Sequence, residues 1–234
     1  GGVRERRFAL AVAGRTVPGS LWTSETPGTD RPMVLVGHGG SGHKRQGYVL
    51  ALARHLVRHH DVHVAAIDGP VHGDRRPDGG HDERLVLLEF AQAWRTDRSM
   101  TDTMVEDWQA TLQSLRAVDG MRVGPVGYWG LSMGTIVGLP FVAAEPSVSV
   151  AVLGLMGLTG PTRERLAADA ARVRCPVLFL VQQSDELFDR ESSLALFDAL
   201  GTAQKVLHLN PGAHGMVPDR ELRDSEMFLV DHLA

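Results

Sequence analysis

Apolar residues fall into two rhythms along this chain. Near-continuous apolar runs recur at Met33 to Val36, Val62 to Ile67, Val126 to Trp129, Val148 to Leu153, Val177 to Val181 and Val206 to Leu209. Runs this short and this apolar suit strands buried on both faces. Between them apolar residues return at helical spacing. Val49, Leu52, Ala53, Leu56 and Val57 share one face, and Met104, Trp108, Leu112 and Leu115 share another. Strand and helix alternating in this way predict a mainly parallel sheet with helices on both faces. Near the start, Phe8 to Val12 and Val17 to Trp22 flank Ala13-Gly14-Arg15 and predict an antiparallel hairpin. The pattern as a whole predicts an α/β domain with an eight-stranded sheet, spanning 1-234.

Several segments carry more specific expectations. Asp82 to Trp94 and Asp102 to Val118 read as helices, inserted around 82-119. The first is apolar on more than one face, through Leu85, Leu87, Leu88, Phe90 and Trp94. Wide apolar faces are usually core, so burial on two sides is expected; the other reading is a small lid. Met133 to Ala144 is helical, with Pro140 expected to kink or shorten it. Leu194 to Leu200 and Glu221 to Leu233 are further helices. Only about twenty residues join Leu153 to Val177, a short crossover with no room for a large cap domain.

The net charge is -4 over 234 residues, with no dense basic patch. Neither nucleic acid nor an anionic membrane is suggested as a partner. Oligomeric state is not readable from the chain. No run of about 18 apolar residues predicts a membrane-spanning helix. Gly1 to Glu5 lacks the apolar core of a signal peptide. The single cysteine, Cys175, excludes an internal disulfide and reads as a buried apolar residue. These features lead to the expectation of a cytoplasmic protein. Eleven histidines invite a metal reading. However, neither the loop group His38, His43, His72 and His81 nor the group His59, His60 and His63 has a recognisable zinc spacing. No metal and no cofactor are expected.

The candidate chemistry begins at Gly130-Leu131-Ser132-Met133-Gly134, between a predicted strand and a predicted helix. Glycines two residues before and after the serine allow a strand to turn sharply into a helix. Such a turn exposes the hydroxyl at the positive end of the helix. A serine nucleophile needs a base, and His214 in Asn210-Pro211-Gly212-Ala213-His214-Gly215 follows the last strand. The acid that orients it is sought after the preceding strand, in Gln182-Gln183-Ser184-Asp185-Glu186-Leu187. Asp185 is the choice there, with Glu186 and Asp189 as rivals. Two backbone N–H groups must face the developing oxyanion. Met133, after the serine, supplies one, and Gly40 in His38-Gly39-Gly40 the other. His38 is expected to shape that loop, Lys44 and Arg45 to be solvated or to anchor it, and Asp74 and Arg75 to pair with each other. Trp94, Trp108, Trp129 and Phe188 are candidate pocket walls.

The order Ser132, Asp185, His214 resembles that of the α/β-hydrolases, and within that fold the dienelactone-hydrolase-like esterases. The matching segments are Val36 to Lys44, Asp68 to Arg75, Tyr128 to Gly134, the Asp185 loop and the His214 loop. The resemblance implies a cofactor-independent hydrolase cleaving a small-molecule carboxylic ester through an acyl-enzyme. An acyltransferase, thioesterase, lactonase, amidase or peptidase on the same residues is the alternative, as is a ligand-binding homologue without turnover. Two departures stand out. Dienelactone hydrolase uses a cysteine nucleophile where this chain has Ser132. The loop before the acid often carries glycine where Gln182 and Gln183 stand.

Overall fold

The computed structural model describes residues 2-25, 30-80 and 82-233; His81 lies outside them. Among them, eight strands form one sheet: β1 (Val3–Val12), β2 (Arg15–Ser24), β3 (Arg31–Gly37), β4 (His63–Ile67), β5 (Val123–Gly130), β6 (Val148–Gly154), β7 (Val177–Gln182) and β8 (Lys205–Asn210). Their order is β1-β2-β4-β3-β5-β6-β7-β8. β1 and β2 form the expected hairpin, β2 also meets β4 antiparallel, and all later pairs are parallel. The direction of winding reverses between β3 and β5, and a crevice opens at the carboxyl ends of strands at such a switch. Gly37 and Gly130 are register partners at that edge.

The apolar runs are buried on both faces because each strand feeds two cores. Met33 and Leu35 of β3 enter one cluster; Val34 and Val36 enter the other. The helices α1 (Gly47–His60) and α7 (Asp219–Leu233) cover the second face through Leu52, Leu56, Leu229 and Leu233. The first face is covered by α3 (Met100–Arg116), α4 (Met133–Ala144), α5 (Arg163–Ala170) and α6 (Arg190–Ala199). Trp108 of α3 is its centre, edge-on to Tyr128 and 6.0 Å from the Phe141 ring. No helix among the described residues is long and apolar enough to cross a membrane.

Two expectations are corrected, and one is narrowed. The helix α2 (Glu83–Thr96) is not buried on two sides: only Val86 and Phe90 are buried, while Leu85, Leu87 and Leu88 are 46%, 41% and 60% exposed. It borders the crevice instead, with Phe90 against His72, Leu87 and Phe90 near Gly40, and Trp94 bonded to Thr162, which leaves its outer leucines to solvent. Pro140 does not shorten α4, which continues to Ala144. Close packing on nearly every side of that helix holds the turn where the proline lacks an N–H. Cys175 is only partly buried, and burial pushes its thiol up to about 11.

The Trp108 indole N–H has no partner, so its value is volume rather than hydrogen bonding. Trp108→Ala is expected to lower the unfolding free energy by about 3–5 kcal/mol, and Trp108→Phe by less than half of that. Urea denaturation of the two variants checks this; equal losses would mean the indole nitrogen matters.

Candidate active site

The strand β5 turns into α4 through Ser132, whose φ of 58° and ψ of -119° lie in a region that side chains rarely adopt. The cost of such a conformation is about 1–3 kcal/mol and must be held by its surroundings. Gly130 and Gly134 make it possible. A Cβ on Gly130 would stand 2.8 Å from the Gly134 carbonyl oxygen, and one on Gly134 2.8 Å from the Gly37 oxygen. The Tyr128 hydroxyl donates to the Gly134 oxygen at 2.7 Å. The Thr135 hydroxyl lies 2.9 Å from the Gly130 oxygen and 2.7 Å from the Gly154 oxygen, and accepts the Gly154 N–H. The Ser132 N–H donates back to Gly154 at 3.0 Å. The turn is thus tied to β3 and β6 on both sides.

His214 Nε2 lies 2.9 Å from Ser132 Oγ, and its Nδ1 lies 2.8 Å from Asp185 Oδ2. With Nδ1–H donating to the carboxylate, Nε2 is free to accept the serine proton. Asp185 is held in turn, because its Oδ1 accepts the N–H groups of Leu187 and Phe188 at 2.8 and 3.0 Å. The rivals do other things. Glu186 accepts the His214 backbone N–H at 2.9 Å, which holds its carboxyl below the usual range. Asp189 caps α6 by accepting the Ser192 N–H.

Gly40 borders the same crevice as Ser132 and His214. The Gly39 N–H is engaged by the Tyr48 hydroxyl at 2.7 Å. Among the described residues, the N–H groups of Gly40 and Met133 donate to no protein acceptor. Across a trans peptide the carbonyl and the N–H point opposite ways. The Gly39 carbonyl is taken by His38 Nδ1–H at 2.8 Å, which turns the Gly40 N–H away from His38. His38 Nε2 accepts the Gly69 N–H at 2.9 Å, so its tautomer is fixed and neutral. Burial, and then the adjacent His72, push the His38 imidazole well below its ordinary value. His72 is also pushed down by burial, and its Nε2 sits 2.9 Å from the Gly40 carbonyl oxygen.

The cavity beside Ser132 measures about 370 Å³. Its walls are mainly apolar, with Leu87, Trp129, Leu131, Leu155, Leu180 and Leu187 among them. Of the expected wall residues only Trp129 is present. Trp108 is in the core, Phe188 lies against the His214 ring, and the Trp94 indole donates to Thr162. Lys44 is buried and paired with Asp68 and Asp74, so it anchors the loop after β3, while Arg45 pairs with Glu5. Asp74 and Arg75 do not pair with each other as expected; Arg75 reaches Asp107 at 2.7 Å. Sequence reasoning missed Tyr48, whose hydroxyl is recruited from α1; Leu87, on the helix whose other reading was a lid, does line the cavity. Sequence reasoning also missed that His208, Glu221 and Asp224 bring donor atoms within 4.8 Å of one another. Of these, Glu221 lines the cavity, and His208 Nδ1 is bonded to it at 2.8 Å.

No protein-family model matches the chain, and no curated protein matches it. Solved structures do. A cold-adapted esterase from an Arctic intertidal metagenomic library is 42% identical, covering 99% of this chain and 95% of that one, with a TM-score of 0.87. A dienelactone hydrolase from Anabaena variabilis is 17% identical with a TM-score of 0.72, covering 99% of each chain. Est1E from Butyrivibrio proteoclasticus, with ferulic acid bound, is 16% identical with a TM-score of 0.72, covering 96% of this chain and 98% of that one. The last two share the fold. The chain belongs to the same family as the Arctic cold-adapted esterase, and its fold is that of the α/β-hydrolases. It is an ester-hydrolysing enzyme.

Burial lowers the imidazoles of His38 and His72 in the folded protein, His38 the further, below the value near 6.5 that they have when unfolded. The unfolded chain then binds more protons below that pH, so stability is full above about 6.5 and falls as pH drops. Stability is therefore expected to fall progressively as pH drops from about 6.5 towards 5, with His38 the larger source. Urea melts across that range check it; His38→Gln should flatten the slope, and an unchanged slope would exclude His38 as a source.

Proposed function

We propose that the protein hydrolyses carboxylic esters with small or moderate acyl groups, using Ser132 as nucleophile, His214 as general base and acid, and Asp185 as the group that orients the imidazole. The observation that carries this reading is the unbroken relay from Asp185 Oδ2 through His214 to Ser132 Oγ, with contacts of 2.8 and 2.9 Å. His214 takes the hydroxyl proton as Ser132 attacks the carbonyl carbon. The oxyanion that forms accepts the N–H groups of Met133 and Gly40, each worth roughly 3 kcal/mol in the transition state. Collapse of the tetrahedral species expels the alcohol, which takes its proton from His214. Water activated by the same imidazole then attacks the acyl-enzyme and releases the acid.

The chain's own residues supply every proton transfer, and no cofactor is needed. A cavity of about 370 Å³ with leucine walls favours an apolar acyl or alcohol group over a bulky polar one. The mild negative charge and single cysteine support a small-molecule partner and a cytoplasmic setting. The alternatives of acyl transfer to another acceptor, or of thioester, lactone or amide cleavage, use the same residues and differ in substrate.

Ser132→Ala is expected to reduce turnover of p-nitrophenyl acetate by at least about 10³-fold, and to abolish labelling by a fluorophosphonate. Wild-type turnover in that variant would overturn the reading. Across p-nitrophenyl esters of increasing acyl length, kcat/KM should rise and then fall as the acyl group outgrows the cavity. A product analysis showing the acyl group mainly on an added alcohol in water would instead identify a transferase.

A further inference from the structure

We propose that Gln182 is a positioning residue that holds the turn carrying His214 in line with Ser132; this rests on the reading of those two residues given above. Gln182 is the last residue of β7 and pairs in register with Asn210, where β8 leaves the sheet for the histidine loop. In that loop the Met216 N–H donates to the Ala213 carbonyl at 3.0 Å. Residues 213 to 216 therefore form a tight turn with His214 and Gly215 at its centre. The Gln182 side chain is 1% exposed, and its Nε2 donates to both ends of the turn. The distances are 3.1 Å to the Ala213 oxygen and 2.8 Å to the Met216 oxygen. These carbonyls lie immediately before His214 and two residues after it.

The amide can only be oriented this way, since the flipped form would aim its oxygen at two carbonyl oxygens. Its own Oε1 is buried with no partner. The side chain thus acts as a double donor, leaving its acceptor unused. An apolar side chain would leave no such orphan but could not grip the turn. Little else does so from within. Met216 is 67% exposed, and Gly215 is exposed beside it, so the outer half of the turn has no core packing. Other ties lie at its base, where Gln183 N–H meets Asn210 and Ser184 N–H meets Gly212, at the exposed Glu186, and at the His214 ring itself, which meets Asp185 and Phe188. Gln182 is not a wall of the cavity. Its removal should therefore disturb the His214–Ser132 alignment while leaving substrate binding alone. This gives the departure from glycine at Gln182 a function.

The test compares Gln182→Met, Gln182→Gly and Ser132→Ala with the wild type, in kcat and KM for p-nitrophenyl acetate, rate of fluorophosphonate labelling, and thermal melting. The glutamine variants should lose about 10- to 100-fold in kcat, the scale of a small misplacement of a reacting group. KM should stay within about twofold, since no binding contact is removed. Labelling of Ser132 should slow by the same factor as kcat. Melting shows which variants are folded, and because methionine and glycine differ in bulk, failure of one to fold leaves the other to be read. Wild-type kcat, or a raised KM at unchanged kcat, in a folded variant beside an inactive Ser132→Ala would overturn the positioning role alone. Wild-type turnover in Ser132→Ala would overturn the underlying reading instead.

Discussion

One strained residue organises this molecule. Ser132 sits in a left-handed backbone conformation where β5 becomes α4, and the chain must come almost into contact with itself to hold it there. The absence of Cβ atoms at Gly130 and Gly134 lets the turn lie against β3. Tyr128 and Thr135, both buried, fix its carbonyls. The strain is sustained because α4 is packed on nearly every side, leaving no cheaper conformation within reach.

The loops around the serine are held by buried polar groups that are paired rather than free. The His38 and His72 imidazoles address backbone groups of the loops after β3 and β4, and His38 does so as a neutral ring, donating through Nδ1 and accepting through Nε2. Neutrality matters for His38, because a second proton would remove the acceptor that Gly69 uses. Lys44 and Asp68 carry charge, but they neutralise each other inside the fold. Asp107, wholly buried, is met by both Arg15 and Arg75. Breaking either arrangement from one side would leave a buried charge unpaired, which is costly. The crevice is therefore tied by paired buried groups on its β3 and β4 side, while its α2 rim shows exposed leucines to solvent.

The fold was largely legible because the parallel strands are buried on both faces, and burial on both faces writes itself as an uninterrupted apolar run. The strand boundaries moved outward by a few residues where polar ends such as Arg31 and Gln182 still pair in the sheet. The surface helix α2 misled for the opposite reason. Its leucines have the composition of a core helix, but their neighbours are set by the crevice it borders, which no local pattern encodes. Asp74 and Arg75 adjoin in sequence yet face different elements, so proximity along the chain was a poor guide to pairing.

By itself the sequence determined the α/β order of elements and the elbow around Ser132, because periodicity and the glycine positions are local properties of the chain. It also narrowed the companion groups to His214 and to one of three carboxylates, since each had to lie on a loop after a late strand. Only the tertiary structure decided that Asp185 faces His214, that Glu186 meets its backbone, and that Asp189 caps a helix. Those choices depend on side-chain direction across loops separated by tens of residues, which register and packing set and local pattern does not. The same holds for Tyr48, Leu87 and Gln182, whose roles exist only where distant segments meet.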